Sequence, residues 1–322
     1  MTSHTVNRSV LALSGGVGGA KLALGLEDLL PAGGLHVLVN TGDDFEHLGL
    51  HICPDIDTLL YTLAGKANPS QGWGLEGESW HMLEALAQLG GETWFQLGDK
   101  DLATHLWRTH RLAGGHALTA VITELATQLG VASRVHPMSA DPVRTTVHCG
   151  SECLPFQRYF VEQRCQPEVT GFSFEGIGDA SPNQEVMTLL RNRAFSQIVV
   201  CPSNPFVSID PILQLPGLWQ ALADDPAPVT LVSPIVAGIA IKGPAAKMMG
   251  ELGVPVTALG VLAHYCRHYP GLVNNFVIDE SDATLAPLID EPGVNVVVAS
   301  TVMKTRDDKQ SLAQIVLDLV EG

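Results

Sequence analysis

The chain runs to 322 residues, 46% hydrophobic and 16% charged, enough for about two ordinary domains or one large α/β domain with an insertion. Its 18 basic against 34 acidic residues leave a formal net charge of −16, which argues against general binding to nucleic acid or to an anionic membrane. An anionic substrate must therefore be met by local basic groups, backbone amides or a metal ion.

Short, continuous apolar runs at 10–13, 36–40, 197–201, 229–233, 256–260, 276–278 and 295–299 predict strands covered on both faces. Helical spacing predicts helices over 20–30, 56–63, 79–89, 102–111, 118–129, 184–191, 211–222, 245–252 and 312–320. In the first of these, Leu22, Leu26, Leu29 and Leu30 share one face. The alternation implies a doubly wound, mostly parallel, Rossmann-like sheet in a single α/β domain over 1–322. The helix-rich stretch 56–130 reads as an insertion forming a lobe over the sheet, and the β-rich stretch 145–178 as a small antiparallel insertion. No apolar run of 18 residues occurs, and the four apolar residues before Ser14-Gly15-Gly16 are too few for a signal peptide, so a cytoplasmic location is expected. The six cysteines, Cys53, Cys149, Cys153, Cys165, Cys201 and Cys266, form no C-x-x-C pair and read as free thiols rather than as a zinc site.

"VLALSGGVGGAKLALGL" (10–26) reads as strand, glycine loop and helix. Against the dinucleotide fingerprint G-x-G-x-x-G, lysine replaces the third glycine, and the acidic candidates Asp43 and Asp44 come late. Against G-x-x-x-x-G-K-[ST], alanine stands at the second glycine and leucine at the metal-binding hydroxyl. What survives is the shared physics. Glycines let the backbone approach an anion, and a helix N-terminus offers free N–H groups, so Ser14, Gly15, Gly16, Gly18, Gly19 and Lys21 are candidate phosphate contacts.

"VNTGDDFEHLGLHICPDIDT" (39–58) follows the next strand and places Asn40, Asp43 and Asp44 at its C-terminal end, with Asp55 and Asp57 about a dozen residues on. Either aspartate pair has a structural alternative, a turn or a helix cap. Two acidic clusters beside a phosphate-type loop favour Mg²⁺, a hard cation held by carboxylates and substrate phosphates. His47 and His51 read as helix or loop surface. Ser203, Asn204 and Ser208 follow one predicted strand, and Lys242-Gly243 follows another. Lys100, Arg108, Arg144, Lys242 and Lys247 could each be a solvated charge; adjacency to Gly, Pro or Asp turns singles out Lys100 and Lys242.

Eight segments in order, "SGGVGGAKL", "VNTGDD", "ICPDIDTLLYTLAG", "GWG", "LGDKDLATHL", "PMSADPVRT", "PSNPFVSIDPIL" and "VSPIVAGIAIKGPAAKMM", resemble the 2-phospho-L-lactate transferases of coenzyme F-420 biosynthesis, including those that use phosphoenolpyruvate. The resemblance spans about residues 10 to 250. It implies transfer of a phosphorylated three-carbon acid from its guanosine diphosphate derivative to the terminal ribityl hydroxyl of the deazaflavin Fo, with release of GMP. On that reading Asp43 and Asp57 hold Mg²⁺, and Asp44 or Asp55 orients or deprotonates the hydroxyl. Asp57 and Lys100 are also candidates for contact with Fo, and Trp73 either stacks near its ring or lies in the core. The segments around Ser203-Asn204 and Lys242-Gly243 cradle the guanosine phosphates, and a homodimer is expected. Lys100 stands where the family commonly has arginine, which keeps the charge and loses the planar fork. A second reading is a related family of non-catalytic nucleotide-sugar-binding regulators, which shares the glycine loop and the acidic strand end. "GWG" and "LGDKDLATHL" belong to the transferase pattern.

Overall fold

The computed structural model describes residues 9–320; residues 1–8 and 321–322, the ends of the predicted 1–322 domain, lie outside the described residues. The first third of the chain forms β1 (Val10–Ser14), α1 (Gly16–Leu29), β2 (Leu35–Val39), β3 (Phe45–His47), β4 (Leu50–Ile52), α2 (Pro54–Leu63), α3 (His81–Gln88), α4 (Asp99–Ala113) and α5 (Leu118–Leu129). Next come β5 (Arg134–Pro137), β6 (Arg144–Cys149), β7 (Glu152–Pro155), β8 (Gly171–Glu175), α6 (Gln184–Arg191), β9 (Gln197–Val200), α7 (Asp210–Leu213) and α8 (Leu218–Ala223). The chain ends with β10 (Val229–Val232), β11 (Ile235–Val236), β12 (Ile239–Ala240), α9 (Ala245–Glu251), α10 (Ala258–His268), β13 (Asn275–Asp279), β14 (Asn295–Ala299) and α11 (Arg306–Asp318).

Seven strands make one parallel sheet in the order β14-β13-β10-β9-β1-β2-β5. The chain moves outward from β1 through β2 to β5, then restarts at β9 on the other side of β1 and proceeds to β14. The strand order thus reverses between β1 and β9, and a doubly wound sheet leaves its ligand crevice beyond the strand ends at such a point. The period-two pleat of β1 explains the two cores: Val10 and Ala12 face one layer, Leu11 and Leu13 the other. The first layer is built from α1, α2, α5 and α11 through Leu22, Leu26, Ile56, Leu60, Val121 and Val316. The second takes Val186, Ile212, Leu218, Met248, Val261 and Tyr265 from α6 to α10. Both α2 and α5, from the predicted lobe, belong to the first layer. The strands β6, β7 and β8 form a separate antiparallel sheet in the order β7-β6-β8.

Three elements depart from the predicted ones. Residues 256–260 are not a strand: the Thr257 hydroxyl accepts the Gly260 N–H and starts α10. The seventh strand is β5, whose residues Arg134, His136 and Pro137 lack an apolar run because it is an edge strand. The helix predicted over 211–222 breaks into α7 and α8, with Pro216 and Gly217 between them. His47 and His51 are also corrected. They lie in the β3–β4 hairpin, joined by Leu48 and Gly49, both with positive φ (54° and 74°), and His47 is buried.

Candidate functional site

The C-terminal ends of β1, β9 and β10, the start of α2 and segments around 71–74, 94–96, 156–164 and 241–245 enclose one cavity of about 600 Å³. Its floor is the switch point. Gly15 is the N-cap of α1, and Gly16 takes φ +63°, a turn that places the first helical N–H groups at the cavity wall. Ser203 pins this loop to the β9 end: its hydroxyl accepts the Gly15 N–H (3.2 Å) and donates to the Gly15 carbonyl (2.6 Å). A Cβ at Gly19 would collide with the Ser14 and Ser203 hydroxyls, and one at Gly18 with the Pro202 carbonyl. Gly19 therefore supplies the close helix–strand packing for which the sequence offered no third glycine.

Of the residues singled out in the sequence, Gly15, Gly16, Gly18, Lys21, Asp43, Asp55, Asp57, Ser203, Asn204, Lys242 and Gly243 line this cavity, as does Trp73, which is 38% exposed and so not a core residue. Asn40 supports it from behind, donating to Asp55 Oδ2 (2.9 Å) and to the Val207 carbonyl (3.2 Å). Asn204 caps its own turn through the Phe206 N–H (3.0 Å). Ser14 and Gly19 serve packing, and Asp44 turns away, accepting the Cys53 thiol (3.1 Å). Lys100 is exposed, donates to the Glu76 carbonyl (2.8 Å) and does not line the cavity. Lys21 donates to the Met303 carbonyl (3.1 Å). Its ammonium is pulled below its ordinary pKa by burial, then by Lys309 and Lys242.

The carboxylates form two groups. Burial, then the neighbouring Asp55, pushes the Asp43 carboxyl well above its usual range. Burial carries Asp55 to about 7, against the pull of the Asn40 hydrogen bond. Asp43 Oδ1 is buried without a hydrogen-bond partner. Asp57 stands in different company. Its Oδ1 is paired with Arg108, which is fully buried, and its Oδ2, also buried, has no hydrogen-bond partner. Burial pushes the Asp57 carboxyl up, while Arg108 and His105 draw it back. His105 continues the network: Nδ1 lies 3.7 Å from Asp57 Oδ2 and 3.3 Å from Arg108 Nη1, and Nε2 lies 3.2 Å from Asp101 Oδ2. Tyr61 donates to Asp101 Oδ1 (2.6 Å). Arg108, expected as a solvated charge, is thus the counter-ion of Asp57, and Asp43 and Asp57, expected as metal ligands, both line the cavity.

Sequence reasoning also missed Asp101, His105, Trp94, Phe95, Phe156, Phe160 and Arg164, all on the cavity wall. Asp101, His105 and Arg108 had a signal: the i, i+4, i+7 spacing of one helix face. Arg158 lies 4.3 Å over the Trp94 ring and bonds Glu92 (2.9 Å) and Glu162 (3.1 Å), so that indole is braced from one side.

The fold and this cavity define a Rossmann-like α/β protein whose cavity straddles the β1–β9 switch point, with the glycine loop, lysines and carboxylates on one wall and aromatic rings on another. The family model described as 2-phospho-L-lactate transferase CofD matches residues 10–310, and the chain belongs to that family of transferases of coenzyme F-420 biosynthesis. A phosphoenolpyruvate transferase of Streptomyces griseus is 37% identical, covering 97% of this chain and 98% of its own. A 2-phospho-L-lactate transferase of Methanosarcina barkeri is 34% identical, covering 97% and 98%. A crystal structure of a UPF0052-family protein from Bacillus halodurans shares the fold, with TM-score 0.64 at 16% identity over 97% of this chain and 99% of that one. Among the described residues no helix is long and apolar enough to cross a membrane.

Proposed function

We propose that this chain transfers a phosphorylated three-carbon acid from its guanosine diphosphate derivative to the terminal ribityl hydroxyl of Fo, releasing GMP. The observation that carries the reading is that one cavity is lined by the glycine loop, Lys21 and Lys242 on one side and by Trp73, Trp94, Phe95, Phe156 and Phe160 on another. An alcohol and a diphosphate react slowly because charge repels and orientation is lost, so alignment and neutralisation are what such a site must supply. The N–H groups at the start of α1, with Lys21 and Lys242, face the donor's phosphates. The aromatic side receives the planar deazaflavin. Asp57 Oδ2, lacking a hydrogen-bond partner while Arg108 holds Oδ1, accepts the hydrogen bond of the attacking hydroxyl and orients it.

Mg²⁺ fits the other carboxylate pair: Asp43 and Asp55 are neighbouring buried carboxylates, and Asp43 Oδ1 has no partner. Bound there, it would offset the charge of the donor diphosphate. The purified protein with Mg²⁺, Fo and guanylylated phospholactate, phosphoenolpyruvate or 3-phosphoglycerate is expected to yield GMP and an Fo phosphodiester by mass spectrometry. Absence of any Fo-linked product with all three donors would refute the reading and leave a nucleotide-sugar-binding regulator as the alternative.

A further inference from the structure

Beside the cavity, three side chains of different donor chemistry converge. Asp44 lies in the turn after β2, His51 in β4, and Cys53 is the N-cap of α2. One carboxylate oxygen, one imidazole nitrogen and the thiol sulfur lie within 4.8 Å of one another. Cys53 Sγ is 3.1 Å from Asp44 Oδ2, and His51 Nε2 is 3.6 Å from the same oxygen. A tetrahedral zinc ion, with bonds of about 2.0–2.3 Å, holds its ligand atoms roughly 3.3–3.8 Å apart. The side chains therefore stand near ligand spacing already.

Two further observations point to an ion. Asp44 is 2% exposed, and its Oδ1 and the His51 Nε2 are buried atoms without hydrogen-bond partners, a costly condition for polar groups. The backbone is held by contacts that do not use the donor atoms: the His51 N–H donates to Thr109 Oγ1 (2.8 Å), and the His51 carbonyl accepts from Arg108 Nη1 (3.2 Å), while the thiol proton that Cys53 gives to Asp44 Oδ2 is the one an ion would replace. Cys53 is the N-cap of the ten-residue helix α2 and is fully buried, which pushes its thiol well up, so a thiolate forms there only with a cation in place of the proton. The neighbouring group Asp57, Asp101 and His105 already contains the Arg108 counter-ion, whereas zinc with one thiolate, one carboxylate and a neutral imidazole is itself neutral.

We propose that Asp44, His51 and Cys53 bind Zn²⁺, with the Cys53 proton released to solvent as the Zn–S bond forms. Asp44 adjoins Asp43, and Cys53 precedes Asp55 by two residues, so the ion staples together the two segments that carry these cavity carboxylates. The inference does not depend on the transfer reaction. The full chain, purified without chelator, is expected to carry one zinc per chain by plasma mass spectrometry. After stripping, Co²⁺ titration should give a near-ultraviolet thiolate-to-cobalt band. Cys53→Ser should abolish that band and weaken zinc binding at least about tenfold; His51→Asn should weaken binding, while Asp43→Asn keeps the band. No thiolate-to-cobalt band in the wild type at saturating Co²⁺ overturns the proposal, a result that holds even if a variant fails to fold. A band and zinc affinity unchanged in Cys53→Ser overturn it as well.

Discussion

The buried pair Asp43 and Asp55 makes stability depend on pH in an uncommon direction for carboxylates. The Asp55 carboxyl rises from 3.8 to about 7, chiefly through burial, so the folded state keeps a proton that the unfolded chain has released. A raised folded pKa contributes stability that is fully present below about 4 and lost as pH rises through about 7, and Asp43 is shifted in the same direction. For Asp55 that loss reaches at most roughly 4 kcal/mol, and at about 2 °C per kcal/mol it lowers the melting temperature by several degrees. Asp55→Asn removes the titration and can keep the Asn40 hydrogen bond by offering its amide oxygen. The metal-free melting temperature of Asp55→Asn is therefore expected to exceed that of the wild type by several degrees at pH 8 and to match it at pH 4. If Mg²⁺ occupies this pair, it should raise the wild-type melting temperature at pH 8 and have little effect on Asp55→Asn. Differential scanning calorimetry over this range checks both expectations. A difference between the two proteins that does not change with pH refutes the assignment of a displaced titration to Asp55.

Arg108→Leu should destabilise the protein by about 3–5 kcal/mol in urea unfolding, because it leaves Asp57 buried and uncompensated, and adding Asp57→Asn should recover part of that loss. Gly19→Ala should cost about 1–3 kcal/mol, since its methyl would meet the Ser14 and Ser203 hydroxyls, and GMP release should fall with it. His36 Nδ1 and His136 Nε2 lie 3.0 Å apart in nearly coplanar rings, a buried hydrogen-bonded pair with both imidazoles depressed to about 4, mainly by burial. Their stabilisation is present above about 6.5 and declines as pH falls toward 4, so His136→Phe should lower the midpoint of acid unfolding. Trp94→Ala should raise KM for Fo about tenfold with little change in KM for the donor, if the aromatic wall holds the acceptor.

The parallel sheet was legible because its inner strands are covered on both faces and so read as unbroken apolar runs. Strand β5 was not, since an edge strand needs no such run; Arg134 is exposed there, and His136 is used to hydrogen-bond His36. The false strand at 256–260 shows the converse: Val256, Ala258 and Leu259 are apolar locally, and only the Thr257 cap with Val261, Leu262 and Tyr265 on the buried side of α10 reveals a helix. The site divides along the same line. Residues on short loops after strands, such as the glycine loop and the segments holding Asp43 and Asp55, could be placed because parallel topology sends those loops to one edge. A counter-ion 51 residues from its partner leaves no such local trace. In α4, charge next to a glycine turn singled out Lys100, yet Asp101, His105 and Arg108 repeat at i, i+4 and i+7 and define the face turned to the protein. Lys100 sits about 100° around the helix from Asp101 and reaches only the Glu76 carbonyl. Periodicity, then, identifies the counter-ion better than charge does, and the consequence reaches the chemistry. With Oδ1 committed to Arg108, Asp57 has one oxygen left, Oδ2, which the proposed function gives to the attacking hydroxyl. The same proposal gives Mg²⁺ to Asp43 and Asp55, neighbouring buried carboxylates that have no basic partner.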